Sequence, residues 1–552
     1  MKKILFRTFV LLVAVLPAAG CIEETFPVGS TVTESQVSGT DDPLTKQVGA
    51  ITAALHAFNT ANYYSTYGEH TDFGLPSIHI MTESMLEDMV PCGNANYSHY
   101  TAYSSNQAQG DVYIYCAYFW DCYYAWIAAA NRVISSVSDP ESASASEKAA
   151  LGQAYAYRAM FYLDLARLYE PKQNNYKPVS SDILGLTVPI VDETTTETAA
   201  QDNPRATRED MYTFILSDLE LAETYLAGTS FTNSAPSLAG VYGLYARAYL
   251  EMAYWEDGNS IANFQAAAKY AEQAISASGC TPLTQTQWED PTRGFNSASA
   301  TNSWIWGIPV VSENVANVSS FITWMSSEAL WAYGNLVQFG ADKSFYESIA
   351  DNDFRKHSWF DPEGMDYYDY QFAGSQDEQE YIEYYMSPYA NLKFRTGQGA
   401  VSDYTTGGVG DHPLMRVEEM YFIEIEALAG QNNLSGAREK LNEFMKYRVT
   451  DGTYDCTRDT PSKDLLLREM LLQKRIEFWG EGILIYDYKR LNQGIRRGYD
   501  GSNHPANEMF NTNGRSPQWN IVITRGEFQS NRGVTEALNN PDPSESIPVW
   551  NN

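Results

Sequence analysis

The stretch YAYRAMFYLDLARLY, residues 155–169, decides which class of fold this chain adopts. Small and aromatic residues return along it at alternating intervals of four and three positions: Tyr155, Ala159, Tyr162, Ala166 and Tyr169. This spacing places all of them on one face of an α-helix, and an apolar face of that kind packs against neighbouring helices. The stretch therefore predicts a long helix that is packed inside a helical protein.

Three later segments show the same period, at residues 211–226, 261–275 and 434–444. Thr207 is placed to cap a helix that begins near Arg208, and Gly279 follows the last periodic residue of another helix as a C-terminal glycine does. Antiparallel pairs of Ala- and Tyr-rich helices are typical of tetratricopeptide-like packing. We therefore predict a mostly α fold in which tetratricopeptide-like helix pairs support a loop-rich, ligand-binding face with minor short strands.

Several segments depart from the helical period. Residues 110–137 form a long aromatic helix in our interpretation, whereas 62–104 is irregular, with a helical turn or two near 81–89. Two long insertions lie at 171–206 and 280–410, and the second contains strand-like runs at 304–308 and 391–395. Long loops on a rigid scaffold are common places for function. In the run at 304–308, alternation predicts that one of Trp304 and Trp306 faces the core.

Aromatic residues make up 13% of the chain and include 39 Tyr. Flat rings outside a periodic helix are harder to assign to a core, and they suit the apolar faces of sugar rings. The candidate ligand-binding residues of the two aperiodic regions are Tyr67, His70, Asp72, Tyr97, Tyr100, Trp288, Trp324, Trp331, Trp359 and Tyr368. For any one of them, packing inside a loop is an equally good interpretation, because large aromatics are usually buried.

The N-terminus has the features of an export signal. Lys2, Lys3 and Arg7 precede the apolar run 10–16, which is too short to span a bilayer, and small residues then lead to Cys21. The end of this stretch resembles a bacterial lipobox, which implies a diacylglycerol on Cys21 and attachment of the mature protein to a membrane. We therefore expect a signal peptide at 1–20 and a lipidated tether at 21–45.

The bulk composition excludes several functions. A net charge of −32 and the lack of basic patches argue against nucleic acid as a partner. The sequence has no HExxH, GxSxG or phosphate-binding glycine loop, so we expect no catalytic residues, no cofactor and no metal; His70 and His79 lack the spacing of metal ligands. Two alternatives remain open for the cysteines. Two of Cys92, Cys116 and Cys122 could form a disulfide, or these three could be buried free thiols like Cys280 and Cys456.

A family resemblance rests on the C-terminal stretch RIEFWGEG, residues 475–482, followed by YDYKRL at 486–491. Together with 156–169, 205–219, 246–250 and 416–427, these motifs occur in the order found in SusD/RagB-like outer-membrane lipoproteins, which the chain resembles from about residue 46 to its end. From the residues themselves, we interpret Arg475, Glu477, Asp487 and Arg490, and likewise Arg158 and Arg247, as paired charges that hold the fold.

The resemblance implies four tetratricopeptide-like helix pairs, with an N-terminal part at 46–290 and a C-terminal part at 291–552 in one structural unit. It also implies a nutrient-binding lipoprotein that is anchored in the outer membrane and faces the cell exterior. The implied partner is a SusC-like TonB-dependent β-barrel transporter. Glu23 and Glu24 resemble the surface-export signal of such lipoproteins.

Our functional hypothesis is a surface protein that binds an oligosaccharide and delivers it to the transporter without chemistry. One alternative is peptide capture, as in RagB-like relatives. A second is a surface-tethered glycoside hydrolase, which product formation would reveal, and a third is a structural role in the transporter complex without any ligand.

Overall fold

Helices formed by the periodic, Ala- and Tyr-rich segments build most of the protein. The computed structural model describes residues 43–57, 70–93, 99–256, 258–364 and 370–550. Residues 44–552 form one compact unit. The predicted signal peptide and tether, and the site residues Cys21, Tyr67, Tyr97 and Tyr368, lie outside the described residues. The proposed boundary between residues 290 and 291 stays a prediction.

The helices of the first half follow one another with few interruptions. In chain order they are α1 (Pro43–Ala54), α2 (Leu75–Ser84), α3 (Thr101–Ser104), α4 (Ile114–Ser135), α5 (Ala145–Tyr169), α6 (Glu197–Ala200), α7 (Arg208–Leu226), α8 (Leu238–Met252) and α9 (Ser260–Ser278). The first strand, β1 (Met89–Pro91), lies between α2 and α3.

The second half begins with short elements and ends with longer helices. They are α10 (Gln285–Glu289), β2 (Trp304–Ile308), α11 (Phe321–Met325), α12 (Ala332–Val337), β3 (Phe339–Ala341), α13 (Lys343–Glu347), α14 (Gln376–Tyr385), α15 (Tyr404–Gly407), β4 (His412–Arg416), α16 (Val417–Gly430), α17 (Leu434–Met445), α18 (Lys463–Phe478), α19 (Leu484–Arg490) and α20 (Arg525–Ser530).

The long helices form a continuous array. Helix α4 packs on α5, α5 on α7, α8 between α7 and α9, and α9 on α16, which also contacts α17 and α18. Helix α5 is buried on every side between Ala156 and Ala166, as expected of a helix that is apolar around its circumference. These observations confirm the mostly α fold with minor strands.

Helix ends follow local sequence signals. The Ser144 hydroxyl accepts from the Glu147 amide and the Glu147 carboxylate accepts from the Ser144 amide, so a reciprocal capping box starts α5. The predicted cap at Thr207 is confirmed by a 3.1 Å hydrogen bond from the Asp210 amide. Gly279 ends α9 in the left-handed region with φ 64°.

Two short antiparallel sheets join distant parts of the chain. Strand β1 pairs with β3, and β2 pairs with β4 in a register that places Ile308 opposite His412. Both faces of β2 are covered, so Trp304 and Trp306 are 1% and 0% exposed. The prediction that one of these two rings faces the core understated their burial, since both are buried. Residues two positions apart on a regular strand share a face, so alternation does not separate them, and here both faces of the strand are covered.

Two local predictions were also wrong. The helix expected near 81–89 lies at Leu75–Ser84, where Gly74 adopts φ 72° and Pro76 occupies the first turn. The strand-like run 391–395 is not a strand, because the Asn391 side chain accepts hydrogen bonds from the amides of Lys393 and Phe394 and turns the chain.

A buried ionic cluster holds the C-terminal helices to the rest of the protein. Glu477 lies 2.7 Å from Nε of Arg448, 2.9 Å from Nη1 of Arg416 and 3.1 Å from Nη1 of Arg355. All four side chains are fully buried. Glu477, from the C-terminal motif at residues 475–482, is therefore a paired charge that holds the fold, as the sequence indicated. Arg475 and Glu477, however, do not pair with each other.

The remaining charges of the signature have partners on other elements. Arg475 pairs with Asp88, and Asp487 pairs with Lys474 and Arg490. Arg158 pairs with Asp218, and Arg247 with Glu419.

All five cysteines in the described residues are free thiols: Cys92, Cys116, Cys122, Cys280 and Cys456. Across the same ranges, every helix is too short or too polar to cross a bilayer.

Candidate ligand-binding surface

Four aromatic rings from distant segments form a stack that runs from the core to the surface, and we call it the ring stack. Its members are Tyr100, Trp324, Tyr333 and His70. The rings of Trp324 and Tyr333 lie parallel, with centroids 3.7 Å apart and planes 7° apart. Tyr100 meets Trp324 edge to face with centroids 5.1 Å apart, and the His70 and Tyr333 rings are tilted by 57° with centroids 5.6 Å apart.

Hydrogen bonds hold the members of the ring stack in place. The Trp324 indole N–H donates to the His70 carbonyl at 3.2 Å, and Nδ1 of His70 lies 2.5 Å from the Tyr333 hydroxyl. At the inner end, the Tyr100 hydroxyl lies 3.1 Å from the Ser77 hydroxyl. Burial raises the pKa of Tyr100 far above its ordinary value, so the inner phenol is neutral.

Three short helices carry the buried and half-buried rings of the ring stack. The Ser320 hydroxyl accepts from the Thr323 amide and begins α11, which carries Trp324. Helix α12 carries Tyr333, and Tyr100 immediately precedes α3. A side-chain cap therefore fixes the start of the helix that carries the central indole.

The outer end of the ring stack is accessible. Tyr333 is half-buried and His70 is exposed, whereas Tyr100 and Trp324 are each 1% exposed. Trp331, half-buried and two residues before Tyr333, donates its indole N–H to the Thr323 hydroxyl at 3.2 Å. At this outer end, the half-buried rings of Tyr333 and Trp331 lie near the exposed imidazole of His70.

The structure brings some of the predicted site residues together and separates others. His70, Tyr100, Trp324 and Trp331 meet at the ring stack or next to it. Asp72 is buried and accepts a 2.9 Å hydrogen bond from the Tyr118 hydroxyl. Its carboxylate faces the aromatic helix α4 and not the surface.

Trp288 and Trp359 are also buried. Trp359 is 0% exposed and packs edge to face on Trp479 with centroids 5.7 Å apart. Trp288 is 2% exposed and donates to the Ser358 hydroxyl at 2.8 Å. In this structure neither indole has a face that a ligand could contact.

A second depression lies beside Trp288. Its volume is about 510 Å³, and its polar lining includes Glu289, Asp290, His357 and Arg395. Glu289 lies 2.5 Å from Nδ1 of His357, and Arg395 is paired with Glu328. Two of its polar groups, Glu289 and His357, are paired with each other, and its aromatic lining consists of the buried Trp288 and the half-buried Tyr370. We therefore take the ring stack, where two parallel rings lead to the surface, as the better candidate site.

The sequence analysis does not single out Tyr333, the ring at the accessible end of the stack. The available signal was its spacing of two from Trp331 in a segment already rich in tryptophan. Its importance comes from the 3.7 Å stacking on Trp324, nine positions earlier in the chain, which spacing alone does not reveal.

The structure offers no arrangement for a metal ion. Within the ranges described above, no three His, Cys, Asp or Glu side chains come together as ligands. His79 is bonded to His412 at 2.7 Å, and His70 belongs to the ring stack.

Comparison with known proteins identifies relatives over nearly the whole chain. Residues 62–250 match a family model described as starch-binding and associating with the outer membrane, and residues 319–536 match the model of the SusD family. SusD-like protein P2 of Formosa agariphila is 25% identical over 545 residues, which is 94% of each chain.

Solved structures share the fold. A SusD-like carbohydrate binding protein from Bacteroides vulgatus has a TM-score of 0.66 at 21% identity, over 89% of this chain and 97% of that one. Surface glycan-binding protein A from Bacteroides thetaiotaomicron, solved in complex with laminarihexaose, has a TM-score of 0.60 at 16% identity, over 91% and 99% of the two chains. Because the two family models match both halves of the sequence and the helical array agrees with these structures, the chain belongs to the SusD/RagB-like family.

Proposed function

We propose that this protein is a surface lipoprotein that binds an oligosaccharide and delivers it to a SusC-like TonB-dependent transporter. The observation that carries the proposal is the ring stack, which ends at the surface in Tyr333 and His70 next to Trp331. A ring supported from behind by a parallel indole is held rigidly, and it presents a flat face to the C–H groups of a sugar. The imidazole and phenol supply hydrogen bonds for the hydroxyl groups.

The relatives support a glycan as the ligand. One similar structure is named a carbohydrate binding protein, and another was solved with laminarihexaose. Both of these relatives are named for binding and not for catalysis. We therefore propose that the ring stack binds a sugar and leaves it chemically unchanged.

Anchoring on the outside of the cell completes the proposal. The family model is described as associating with the outer membrane, and the sequence places a lipidation motif at Cys21. Acyl chains on Cys21 would hold the protein at the membrane that contains the transporter. Co-purification of a β-barrel transporter with the wild-type chain, from detergent-solubilised membranes, is the expected result.

Tryptophan fluorescence tests the binding site. Trp324 touches the back of Tyr333, so a glycan on the front of Tyr333 should change the indole emission in a saturable way. A panel of soluble neutral glycans is titrated into the mature chain, and each mixture is then incubated and analysed for new reducing ends. We expect saturable binding of at least one glycan and no product.

Three results would contradict the proposal. Saturable binding of peptides with no response to any glycan would indicate peptide capture instead. New reducing ends produced by the pure protein would indicate a hydrolase. Co-purification with the transporter without a response to any glycan or peptide would indicate a structural role.

A further inference from the structure

Helix α14 exposes three tyrosines on the surface of the protein. Tyr381, Tyr384 and Tyr385 are 44%, 80% and 52% exposed. Their rings touch one another, with centroids 4.4 Å apart for Tyr381 and Tyr385 and 4.7 Å apart for Tyr384 and Tyr385. We call these three residues the tyrosine platform. Large side chains of this kind are normally covered, so such a cluster marks a contact surface.

The tyrosine platform is rigid. The Glu378 carboxylate accepts from the Ser375 amide at 2.8 Å and from the Ser402 hydroxyl at 2.5 Å, which fixes the start of α14. Ile382 of the same helix is 3% exposed and anchors the helix to the protein. A ligand would meet rings that are already held in place, so little entropy is lost on binding.

The platform is connected to the element that carries the ring stack. The Gln338 side-chain amide donates to the carbonyl of Asn335 at 3.0 Å and to that of Tyr385 at 3.2 Å. Asn335 belongs to α12, two residues after Tyr333, and Leu336 of the same helix is 42% exposed. The end of α14 is therefore fixed next to the end of α12.

The size of the platform favours a glycan over a protein. At the measured exposures, three tyrosines offer an area on the order of 400 Å², given about 150–250 Å² for each fully buried aromatic side chain. A specific protein interface buries at least about 1,000 Å² summed over both partners, which is about 500 Å² on each, and commonly about 800 Å² on each. The platform is thus small for a protein partner, but it is large enough for a few sugar rings.

The charge of the sequence segment that contains the platform restricts the type of glycan. The sequence from Ser358 to Leu392 contains no Lys, Arg or His. Its acidic residues are Asp361, Glu363, Asp366, Asp369, Asp377, Glu378, Glu380 and Glu383. Each carboxylate within a Debye length of about 8 Å repels an anionic ligand at physiological ionic strength.

We infer that the tyrosine platform is a second contact site for uncharged glycans, which extends the ring-stack site toward longer chains and disfavours sulfated or uronic polymers. This inference rests on the proposed glycan-binding function. The rings stack on the apolar faces of the sugars, and the surrounding carboxylates accept hydrogen bonds from sugar hydroxyls. A short oligosaccharide bound at Tyr333 does not need the platform, whereas a polymer contacts both sites.

The test uses native affinity electrophoresis of the full mature chain in detergent. Gels contain amylopectin, laminarin, xyloglucan or galactomannan, and parallel gels contain the sulfated form of each polymer. The triple variant Tyr381→Ala/Tyr384→Ala/Tyr385→Ala should bind the neutral polymer at least tenfold more weakly than the wild type. Its affinity for a short oligosaccharide of the same sugar should change by less than twofold.

Tyr113→Ala is the matched control, because Tyr113 is 45% exposed and lies at the start of α4. This variant should bind like the wild type. Tyr384→Ala alone removes the most exposed ring, and it should weaken polymer binding severalfold even if the triple variant folds poorly. Glu380→Lys/Glu383→Lys should gain binding to the sulfated polymer and keep binding to the neutral one.

Each remaining outcome overturns the inference in a distinguishable way. If the triple variant and Tyr384→Ala both bind the polymer as the wild type does, the platform is not a glycan contact site, but the proposed function is unaffected. Tighter binding of the sulfated form by the wild type contradicts the charge argument. If the triple variant keeps polymer binding and loses a co-purifying protein, the platform is a protein contact. If the wild type binds none of the polymers or oligosaccharides, the proposed function itself fails.

Discussion

At the scale of single residues, Glu477 is the centre of the buried charge cluster. Its carboxylate accepts hydrogen bonds from Arg355, Arg416 and Arg448, and these cations keep its pKa well below the ordinary value although burial alone would raise it. A buried ionic group is tolerated only while its partners are present. Removing the charge of Glu477 leaves three buried guanidinium groups short of an anion.

We therefore predict that Glu477→Gln lowers the free energy of unfolding by about 3–5 kcal/mol. Urea denaturation followed by circular dichroism measures the change. Asp459→Asn is the control, because the Arg458–Asp459 pair is exposed and exposed pairs contribute about 0–1 kcal/mol. A loss below 1 kcal/mol for Glu477→Gln would mean that the cluster does not hold the fold.

A second residue-scale feature is the buried histidine pair that joins α2 to β4. Nδ1 of His79 lies 2.7 Å from Nε2 of His412. Burial lowers the pKa of His79 from 6.5 to about 3, and it holds the pKa of His412 well below the ordinary value. Both imidazoles are thus neutral in the folded protein, whereas the unfolded chain binds protons at each of them below about pH 6.5.

Acid should therefore destabilise the protein through this pair. The contribution of the neutral His79 to the free energy of unfolding is complete above pH 6.5. It decreases as the pH falls from 6.5 toward 3, because in this range the unfolded state binds more protons than the folded state. His79→Asn, which keeps a polar atom near Nδ1, should reduce the slope of stability against pH by up to about 1.4 kcal/mol per pH unit between pH 6 and 5. Urea titrations at both pH values measure it, and a slope equal to that of the wild type would refute the assignment.

The sequence predicted that certain charged residues form ion pairs, but it did not predict which residues are their partners. The sequence indicated that Arg158, Arg247 and Arg490 are paired, because a guanidinium next to apolar residues must be satisfied. Their partners lie on other helices, such as Glu419 for Arg247 and Glu426 for Arg490. Long-range packing selects those partners, and no local spacing encodes it.

At the scale of elements, the turn between α18 and α19 depends on two glycines. Gly480 and Gly482 adopt φ 77° and 74°, in the left-handed region that glycine reaches without strain. A side chain at Gly482 would place Cβ 2.4 Å from Cα of His79. Gly482 therefore lets the turn between α18 and α19 pack directly against the backbone of α2.

Gly482→Ala should destabilise the protein by at least about 2 kcal/mol more than Gly452→Ala does. Gly452 is the matched control: its φ is also 74°, but no atom lies within 4 Å of its would-be Cβ. Gly452→Ala then reports the left-handed strain alone, about 1–2 kcal/mol. Equal losses in thermal or urea unfolding for the two variants would contradict the close approach.

The elements that the sequence predicted best are the long periodic ones. Helices α4, α5, α7, α9 and α17 lie where the period or the aromatic run indicated them. Short elements were less predictable, because their form depends on a few side-chain contacts. Asn391 shows this, since one amide side chain turns an apolar run out of the extended conformation.

At the scale of the whole molecule, the proposed lipid anchor at Cys21 would connect the fold to its location. If Cys21 carries the acyl chains that we propose, Cys21→Ala should release the protein from the membrane fraction. Fractionation of cells with an antibody against the chain measures the change, and protease treatment of intact cells measures its exposure. Membrane attachment equal to that of the wild type would contradict lipidation at Cys21.

The sequence predicted the regions that form the site, but it did not predict which of their residues come together or face the surface. His70, Tyr100, Trp324 and Trp331 were selected as aromatics or polar residues outside helical periods, and they meet at the ring stack. Trp288 and Trp359 met the same criterion, yet they are buried. Both rings belong to the main hydrophobic core that the long helices also form, so the absence of a helical period does not imply exposure.

The central claim is that Tyr333, supported by Trp324, forms the sugar-binding face. Isothermal titration calorimetry of the wild type, Tyr333→Phe and Tyr333→Ala, with the glycan that gives the fluorescence response, tests it most directly. We predict that Phe, which keeps the ring, binds within about threefold of the wild type, and that Ala weakens binding at least about tenfold, or about 1.4 kcal/mol. Equal affinity of Tyr333→Ala and the wild type, with both proteins folded, would contradict the account.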